Sequence, residues 1–519
     1  MFDKSCKNVL VRGVNWIGDS VMTLPALRAL RMGLPGAKLS LLVKSWVSPV
    51  YENNPDVDEI ISYTDKHRSV IGRLSLAWML RKKDFCGAIL FQNAFDAALI
   101  TFLAGIRERA GYRRDGRGFL LTTTVPVPPN EKKVHQIYYY LNLIGKLGIK
   151  AEYSDPYIYL GLDERLHARN LLKEIKRPVL GINPGATYGS AKRWFPERFA
   201  DIANWFIQDT GGSVVIFGGR SEIGIADEIY RNVYPEFRSS DSVLSMAGKT
   251  SLRDLISLIS ECDAFLTNDS GPLHIAYAVR TPLVALFGST APELTGPPPE
   301  MIGDNNIVVT PDLPCRPCFG RTCKNNDMKC MYAITPDEVY YGIKKVLPDT
   351  PAVFFDRDGT LCKDTGYVDS MDNLQIFKET DKVSLLKEKG FRLIGVTNQS
   401  GIARGIVDEK FVREVNNIFI DRYGFDDFYY CPHHPDDHCP CRKPEPEMLF
   451  RARAKHKVDF KKSYVVGDKE ADMLLAKAVG AKAILVQTGE AKESRYADFI
   501  AEDLAEAVHL IIKDSENDN

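Results

Sequence analysis

The stretch Val353-Phe-Phe-Asp-Arg-Asp-Gly-Thr-Leu361 decides the fold of the last third of this 519-residue chain. The run Ala352–Phe355 reads as a short buried strand that delivers two carboxylates at its carboxyl end, where open α/β sheets bind ligands. Successive strand residues alternate faces, so Asp356 and Asp358 point the same way if the extended geometry persists. Such a pair suits phosphoryl transfer, with one carboxylate as nucleophile and the other as acid for the leaving oxygen and base for the hydrolytic water. Gly359 and Thr360 then turn the chain tightly. The plain alternative is an Asp-rich surface turn, and the downstream strands weigh against it.

Ile394-Gly-Val-Thr-Asn-Gln-Ser400 is a second apolar strand, ending in donors suited to phosphate oxygens: Thr397, Asn398, Gln399 and Ser400. Arg442 and Lys443 supply cations that neutralise charge on a transferring group. Tyr464-Val-Val-Gly-Asp468, followed by Asp472, ends a third strand in acid, placed to complete a Mg2+ site of oxygen ligands. Between these lies Cys431-Pro-His-His-Pro-Asp-Asp-His-Cys-Pro-Cys441. Cys431, His433, Cys439 and Cys441 form a symmetric set for closed, structural Zn2+, with His434 and His438 as competing ligands. The alternative is a polar loop with incidental cysteines. Bound zinc would pin the loop that leads into Arg442 and Lys443.

These motifs, in this order over about 115 residues, resemble the haloacid dehalogenase superfamily of aspartyl-phosphate phosphatases. The zinc loop narrows the resemblance to the D-glycero-D-manno-heptose 1,7-bisphosphate 7-phosphatases, over residues 351–515. The resemblance implies Asp356 as nucleophile and Asp358 as acid/base. It implies Mg2+ held by Asp356, the carbonyl of Asp358 and Asp468. Asp364, Thr365, Gly366 and Tyr367 match the family's substrate loop, and Thr397, Asn398, Arg442 and Lys443 its phosphate and sugar contacts. Histidinol-phosphate phosphatases share almost all of these residues.

Upstream, apolar runs at Asn8–Arg12, Ala37–Val43 and Gly87–Phe91 begin one series of strands, and a second begins at Pro178–Ile182 and Ser213–Gly218. The second continues through Ala264–Asn268 and Pro282–Phe287. Helical patterns alternate with them; Val21, Leu24, Leu27 and Leu30, for example, recur every three residues. The alternation predicts parallel sheets in two similar lobes, residues 1–176 and 177–347, with a cleft between them. Pro348 and Pro351 mark a linker before the third domain. The expected fold class is therefore α/β throughout: two Rossmann-like lobes of GT-B type, then a haloacid dehalogenase-like domain carrying a zinc loop.

Arg12-Gly-Val-Asn-Trp-Ile-Gly-Asp19 follows the first strand without a G-x-G-x-x-G pattern, so a dinucleotide site has little support. Asp19 reads either as a first-turn acid offsetting the helix dipole or as a base for a sugar hydroxyl. Asn183-Pro-Gly-Ala186, Ala191-Lys-Arg-Trp194 and Phe217-Gly-Gly-Arg220 end or follow strands of the second lobe. In Thr267-Asn-Asp-Ser-Gly-Pro-Leu-His274, the amides at a helix start would receive a pyrophosphate. His274 is either a ligand or a residue packed in the cleft wall. WIGD, NPGA, AKRW, FGG and NDSGPLH together resemble the heptosyltransferases of the lipopolysaccharide inner core, the second more than the first, over residues 7–345. The resemblance implies an ADP-heptose donor, inversion at the anomeric carbon and no required metal. It makes Asp19 the general base, pairs Lys192 with the diphosphate, and sets Asp269, Ser270 and Gly271 at the donor. Arg107, Arg109, Arg113, Arg114 and Arg117 are read either as a solvated face or as a contact for anionic acceptor sugars.

Lys plus Arg number 67 against 68 Asp plus Glu, so no global field draws the chain onto nucleic acid. The longest apolar stretch, near Ala97–Ile106, is about half of the roughly 20 residues a membrane span needs. The amino terminus lacks signal-peptide anatomy, and the expected location is the cytoplasm. A lipid-linked acceptor would still require transient inner-membrane contact. Of 11 cysteines, four lie at Cys315, Cys318, Cys323 and Cys330, where zinc and free thiols are both open readings. The combined expectation is a bifunctional enzyme: Mg2+-dependent removal of the 7-phosphate of heptose 1,7-bisphosphate, and heptose transfer from ADP-heptose to the lipopolysaccharide core. A generic hexosyltransferase fused to another small-sugar or histidinol phosphatase is the competing assignment. One half serving only as a binding module is a third.

Overall fold

The structure is a computed structural model and describes residues 2–240, 242–301, 303 and 305–517. The chain forms two compact units, one reaching to Val346 and the other starting at Leu347. The first unit holds two six-stranded sheets and the second holds one.

The first sheet comprises β1 (Asn8–Arg12), β2 (Lys38–Lys44), β3 (Glu59–Tyr63), β4 (Gly87–Leu90), β5 (Glu108–Tyr112) and β6 (Thr123–Val125). The second comprises β7 (Val179–Asn183), β8 (Ser213–Ile216), β9 (Val243–Ser245), β10 (Ala264–Asn268), β11 (Leu283–Leu286) and β12 (Asn306–Val309). The third comprises β13 (Ala352–Phe355), β14 (Arg392–Asn398), β15 (Asp427–Cys431), β16 (Tyr464–Gly467), β17 (Lys482–Val486) and β18 (Phe499–Ala501). Their spatial orders are β3-β2-β1-β4-β5-β6, β12-β11-β10-β7-β8-β9 and β15-β14-β13-β16-β17-β18. Renumbered within each sheet, all three are the same 3-2-1-4-5-6 order, with parallel pairing at each centre. That order reverses winding direction between the first and fourth strands, and the crevice at their carboxyl ends is where such sheets bind ligands. The three crevices lie at β1/β4, β7/β10 and β13/β16.

Both faces of each sheet are covered by helices, so the central strands are continuously apolar. Val9, Leu10 and Val11 are buried in β1, as are Val353, Phe354 and Phe355 in β13. Each such side chain contributes about 1.5–3 kcal/mol on burial. In the first unit one apolar cluster runs from Val21 and Met22 to Leu273 and Tyr277, making the core continuous between its two sheets.

The expected helix through Val21, Leu24, Leu27 and Leu30 is two helices, α1 (Ile17–Met22) and α2 (Leu24–Gly33). Pro25 near the second start lacks an N–H, and the Thr23 hydroxyl bonds Ser20 O at 2.7 Å, closing the first helix. The arginine run does not form one solvated face. Arg117 is buried and donates to Tyr112 O and Asn93 Oδ1, both at 3.1 Å. Arg109 donates to Leu120 O at 2.7 Å, and Arg114 pairs with Glu131. Arg107 and Arg113 stay exposed. Outside the two cysteine clusters, Cys6 and Cys86 are disulfide-bonded. Near the linker, the N–H groups of Asp349 and Thr350 both donate to Lys457 O, which anchors them to the second unit. Among the described residues no helix is long and apolar enough to cross a membrane.

Candidate active sites

In the second unit, β13 ends at Phe355 and sets Asp356 and Asp358 at the crevice beside β16. Lys443 Nζ lies 2.7 Å from Asp356 Oδ1 and 2.6 Å from Asp472 Oδ1, and donates to Val396 O at 3.1 Å. Burial opposes the charge on Lys443, but the two carboxylates reverse this and push its pKa up. Burial likewise raises Asp356 against the pull of Lys443. Asp356 Oδ1 also accepts from the Arg357 N–H at 2.7 Å.

Asp468 is fully buried under this pair, and its Oδ2 accepts from the Glu490 N–H at 3.0 Å. Its Oδ1 has no hydrogen-bond partner among the described residues. Oxygens of Asp356, Asp468 and Asp472 lie within 4.8 Å of one another. Three buried carboxylates against one lysine, with one oxygen orphaned, fit a hard divalent cation with oxygen ligands. Asp472 belongs to Lys443 and to the Lys469 N–H, which its Oδ2 caps at 3.2 Å. Gly359 makes room for this arrangement. Its φ is +97°, and a Cβ there would sit 2.4 Å from Asp468 Oδ2.

Asp358 faces the same cavity of about 300 Å3, with Gly366, Tyr367, Thr397, Ser400, Arg442 and Lys443 also in the wall. Arg357 grips its carboxylate with Nε and Nη2, both at 3.0 Å, and Gln399 Nε2 donates to it at 2.8 Å. These donors outweigh burial and hold Asp358 below its ordinary pKa. Gln399, expected as a phosphate contact, also lines the cavity, and its Nε2 donates to Thr397 Oγ1 at 2.9 Å as well as to Asp358. Asn398 lines the cavity but is tied to the Lys443 backbone in both directions, at 3.0 and 3.3 Å. Asp364 pairs with Lys469 at 2.9 Å, and Thr365 is exposed beside it. The motif reading missed Arg357 and Lys469; each adjoins an expected acid, but sequence cannot tell an outward cation from an inward one.

Cys431 Sγ and Cys439 Sγ are 3.4 Å apart, as are Cys439 Sγ and Cys441 Sγ, and His433 Nδ1 lies 3.2 Å from Cys441 Sγ. Three converging thiols and an imidazole fit a tetrahedral Zn2+ shell. The Gln399 N–H donates to Cys431 O at 2.8 Å, joining this loop to the cavity wall. Cys315, Cys318, Cys323 and Cys330 are not one of the convergent clusters found among the described residues.

In the first unit, Asp19 sits in the first turn of α1, beyond β1, and Lys192 is close enough to lower its pKa. Burial wins over Lys192 and pushes Asp19 up to about 6. Lys192 Nζ lies 2.5 Å from Asp269 Oδ2, which also accepts from Thr290 Oγ1 at 2.5 Å. Asp269 Oδ2 thus takes two protein donors and positions Lys192. Three motifs are stitched together here: Asn183 Nδ2 donates to Ser270 Oγ at 3.2 Å, Trp194 N to Asn268 Oδ1 at 3.1 Å, and Asn268 Nδ2 to Pro184 O at 2.7 Å. Gly271 opens the helix Gly271–Ala278. His274 is buried, contacts Tyr277 Oη at 2.9 Å and packs on Gly18, where an added Cβ would lie 2.6 Å from its ring. Burial pushes its pKa down to about 3, so the ring is neutral and adds no cation for an anionic ligand.

Fold and sites define a two-centre enzyme, with a two-lobed transferase cleft in one unit and an aspartate-based phosphatase pocket in the other. Residues 73–329 match glycosyltransferase family 9 (heptosyltransferase), and residues 440–507 match the HAD-hydrolase-like family. Lipopolysaccharide heptosyltransferase 2 of Escherichia coli (strain K12) is 33% identical over 299 residues, covering 56% of this chain and 85% of that protein. The D-glycero-beta-D-manno-heptose-1,7-bisphosphate 7-phosphatase of Yersinia pestis is 43% identical over 174 residues, covering 30% of this chain and 92% of that one. The solved structure of E. coli ADP-heptose LPS heptosyltransferase II superposes with a TM-score of 0.57 at 28% identity, covering 65% of this chain and 98% of that one. The chain belongs to the family 9 heptosyltransferases through its first unit and to the HAD-like heptose-bisphosphate phosphatases through its second. It is a glycosyltransferase fused to a phosphatase.

Proposed function

We propose that the second unit removes the 7-phosphate of D-glycero-D-manno-heptose 1,7-bisphosphate and that the first transfers heptose from ADP-heptose to the lipopolysaccharide core. Residues 351–515 would carry the hydrolysis, residues 1–176 the acceptor and residues 177–347 the ADP-sugar. The observation that carries the phosphatase reading is Lys443 held between Asp356 and Asp472 at the edge of one cavity, with Asp468 beneath.

Lys443 and the Arg357 N–H both engage Asp356 Oδ1, which leaves Oδ2 to attack phosphorus. The phosphorus bond to the sugar oxygen breaks, and that oxygen takes a proton from Asp358. Water then attacks the aspartyl-phosphate, Asp358 removes its proton, and the bond to Asp356 breaks to release phosphate. Arg357 and Gln399 favour the ionised, proton-accepting form of Asp358, so one of these contacts must open for the proton-donating step. Asp356, Asp468 and the Asp358 carbonyl would hold Mg2+, which when bound offsets charge on the phosphoryl oxygens. The Cys431, His433, Cys439 and Cys441 set would hold structural Zn2+, fixing the segment that carries Arg442 and Lys443.

In the transferase, Asp19 takes the proton of the acceptor hydroxyl as that oxygen attacks the anomeric carbon. The bond to the diphosphate breaks on the opposite face, giving inversion. Lys192 and the amides near Ser270 and Gly271 receive the departing charge. A carboxylate with a pKa of about 6 is a stronger base than an ordinary aspartate yet is ionised at neutral pH.

Incubating the full chain with heptose 1,7-bisphosphate and Mg2+, and following phosphorus by NMR, tests the first reading. Loss of the C7 signal, abolished by Asp356→Asn, is the expected result. Release from C1, or equal turnover of histidinol phosphate, overturns it.

A further inference from the structure

We infer that the outer face of two helices in the first unit, α3 (Val70–Arg81) and α4 (Phe95–Leu103), docks on an anionic lipid bilayer. Neither active site uses this face.

On α3 the buried side chains are Leu76, Ala77 and Leu80, which fixes the inward face. The opposite face carries Val70, Ile71, Leu74 and Trp78, of which Ile71 is 80% exposed, Val70 70% and Trp78 62%. Positions i, i+1, i+4 and i+8 form one stripe along a helix, so these residues make a continuous apolar ridge on the solvent side. α4 packs beside α3 and does the same with Phe95, Phe102 and Leu103. Phe119, 76% exposed, meets Phe95 with ring centroids 6.1 Å apart and extends the ridge. Scattered exposed apolar residues are ordinary; a contiguous ridge of this kind marks an interaction surface.

Charge selects the occupant. Between Asp65 and Asp84 the sequence holds six cations and no further acid; Arg68 pairs with Asp65 and Lys83 with Glu59, which leaves Lys66, Arg73, Arg81 and Lys82 outside those pairs. Lys82 lies 3.4 Å from the centroid of the Trp78 ring, which places a cation at the border of the apolar stripe. Arg109 stacks on Phe102 at 5.3 Å, and Arg107 is exposed nearby in sequence. An apolar stripe bearing an indole, flanked by lysine and arginine on an otherwise near-neutral chain, is the pattern of a helix lying in the headgroup region of an anionic membrane.

The topology gives this surface a use. α3 begins beyond the carboxyl end of β3, α4 beyond that of β4, and α1 with Asp19 beyond that of β1. These strands are parallel, so the ridge starts at the sheet edge that presents the proposed base. Docking there would bring an acceptor anchored in lipid to that edge.

Co-sedimentation of the full chain with vesicles tests the inference, comparing phosphatidylethanolamine/phosphatidylglycerol with phosphatidylcholine alone. Binding at least tenfold stronger to the anionic vesicles, and weakened by high salt, is expected. The variant Ile71→Ser/Leu74→Ser/Trp78→Ser should lose at least tenfold in binding while keeping its melting temperature and phosphatase rate. Arg81→Glu/Lys82→Glu, at two exposed positions, should lose the preference for anionic lipid with the apolar ridge intact. Equal sedimentation of wild type and both variants overturns the proposal. So does a wild type that ignores vesicles but self-associates through residues the triple variant removes, which would make the ridge a protein interface.

Discussion

Arg357 closes on the carboxylate of its own chain neighbour, Asp358, with Nε 3.0 Å from Oδ1 and Nη2 3.0 Å from Oδ2. The guanidinium is itself buried, and its remaining amine reaches Asn416 Oδ1 at 3.2 Å. A planar fork is the one side chain that matches both oxygens at once. Arg357→Lys keeps the charge and loses the fork. The expected result is a fall in phosphatase kcat of about tenfold or more with KM little changed, because Asp358 is mis-set rather than removed. Steady-state kinetics on heptose bisphosphate check this; a raised KM at unchanged kcat would mean the arginine serves binding.

With Asp19 as the proposed base, pH should act on both rate and stability in the transferase. Its pKa of about 6 means that the base is ionised above that value, so transfer should rise through pH 6 and level off near neutrality. The stability effect runs the other way. The native state holds a proton that the unfolded chain has released above its ordinary value of 3.8. Stability is therefore full below that value and declines as pH rises towards 6, by about 3 kcal/mol for a shift of this size. Asp19→Asn should abolish transfer and raise the melting temperature at neutral pH while leaving ADP-heptose binding nearly unchanged. A less stable, inactive variant would mark the residue as structural.

How much of this was legible beforehand depended on burial. β13 is legible to the residue because a strand covered on both faces is an unbroken apolar run, and β10 because its apolar start runs into the polar Thr267 and Asn268 at the site. The edge strands β6, β9 and β18 have only three residues each, too few to show a period, and β6 and β9 also mix polar with apolar side chains. Among site residues, acids and thiols at fixed spacing announced themselves; the partners that fix their roles did not. The sequence marks Gln399 and Asp269 as ligand contacts; the structure adds that Gln399 also donates to Asp358 and that Asp269 also holds Lys192. Sequence reports which groups are polar, whereas the direction each faces is set by packing across strands far apart in the chain.

Zinc at the proposed Cys431, His433, Cys439 and Cys441 shell would matter to hydrolysis through position alone. Cys439→Ser removes one of the four converging ligands, and the segment that it fixes continues directly into Arg442 and Lys443. The expected outcome is loss of stoichiometric zinc by elemental analysis, a lower melting transition and a phosphatase rate reduced at least tenfold. Transferase activity should persist, since the cluster belongs to the other compact unit. Full phosphatase activity in a zinc-free variant would reduce the loop to a decoration.

Gly359 offers the sharpest test of the carboxylate geometry. An alanine there meets two independent obstacles, a φ of +97° and a Cβ placed 2.4 Å from Asp468 Oδ2. The first strains the turn by about 1–2 kcal/mol. The second cannot be relieved by the backbone, which is held by the Gly359 N–H to Cys362 O at 2.7 Å, so Asp468 must move instead. Moving it separates the orphaned Oδ1 from Asp356, and the divalent cation should bind at least a hundredfold more weakly. Titrating phosphatase activity with Mg2+ should therefore show a large rise in the half-saturating concentration in Gly359→Ala, with activity partly restored at high Mg2+. Unchanged Mg2+ dependence would show that Asp468 is not a ligand and that the cation is held elsewhere.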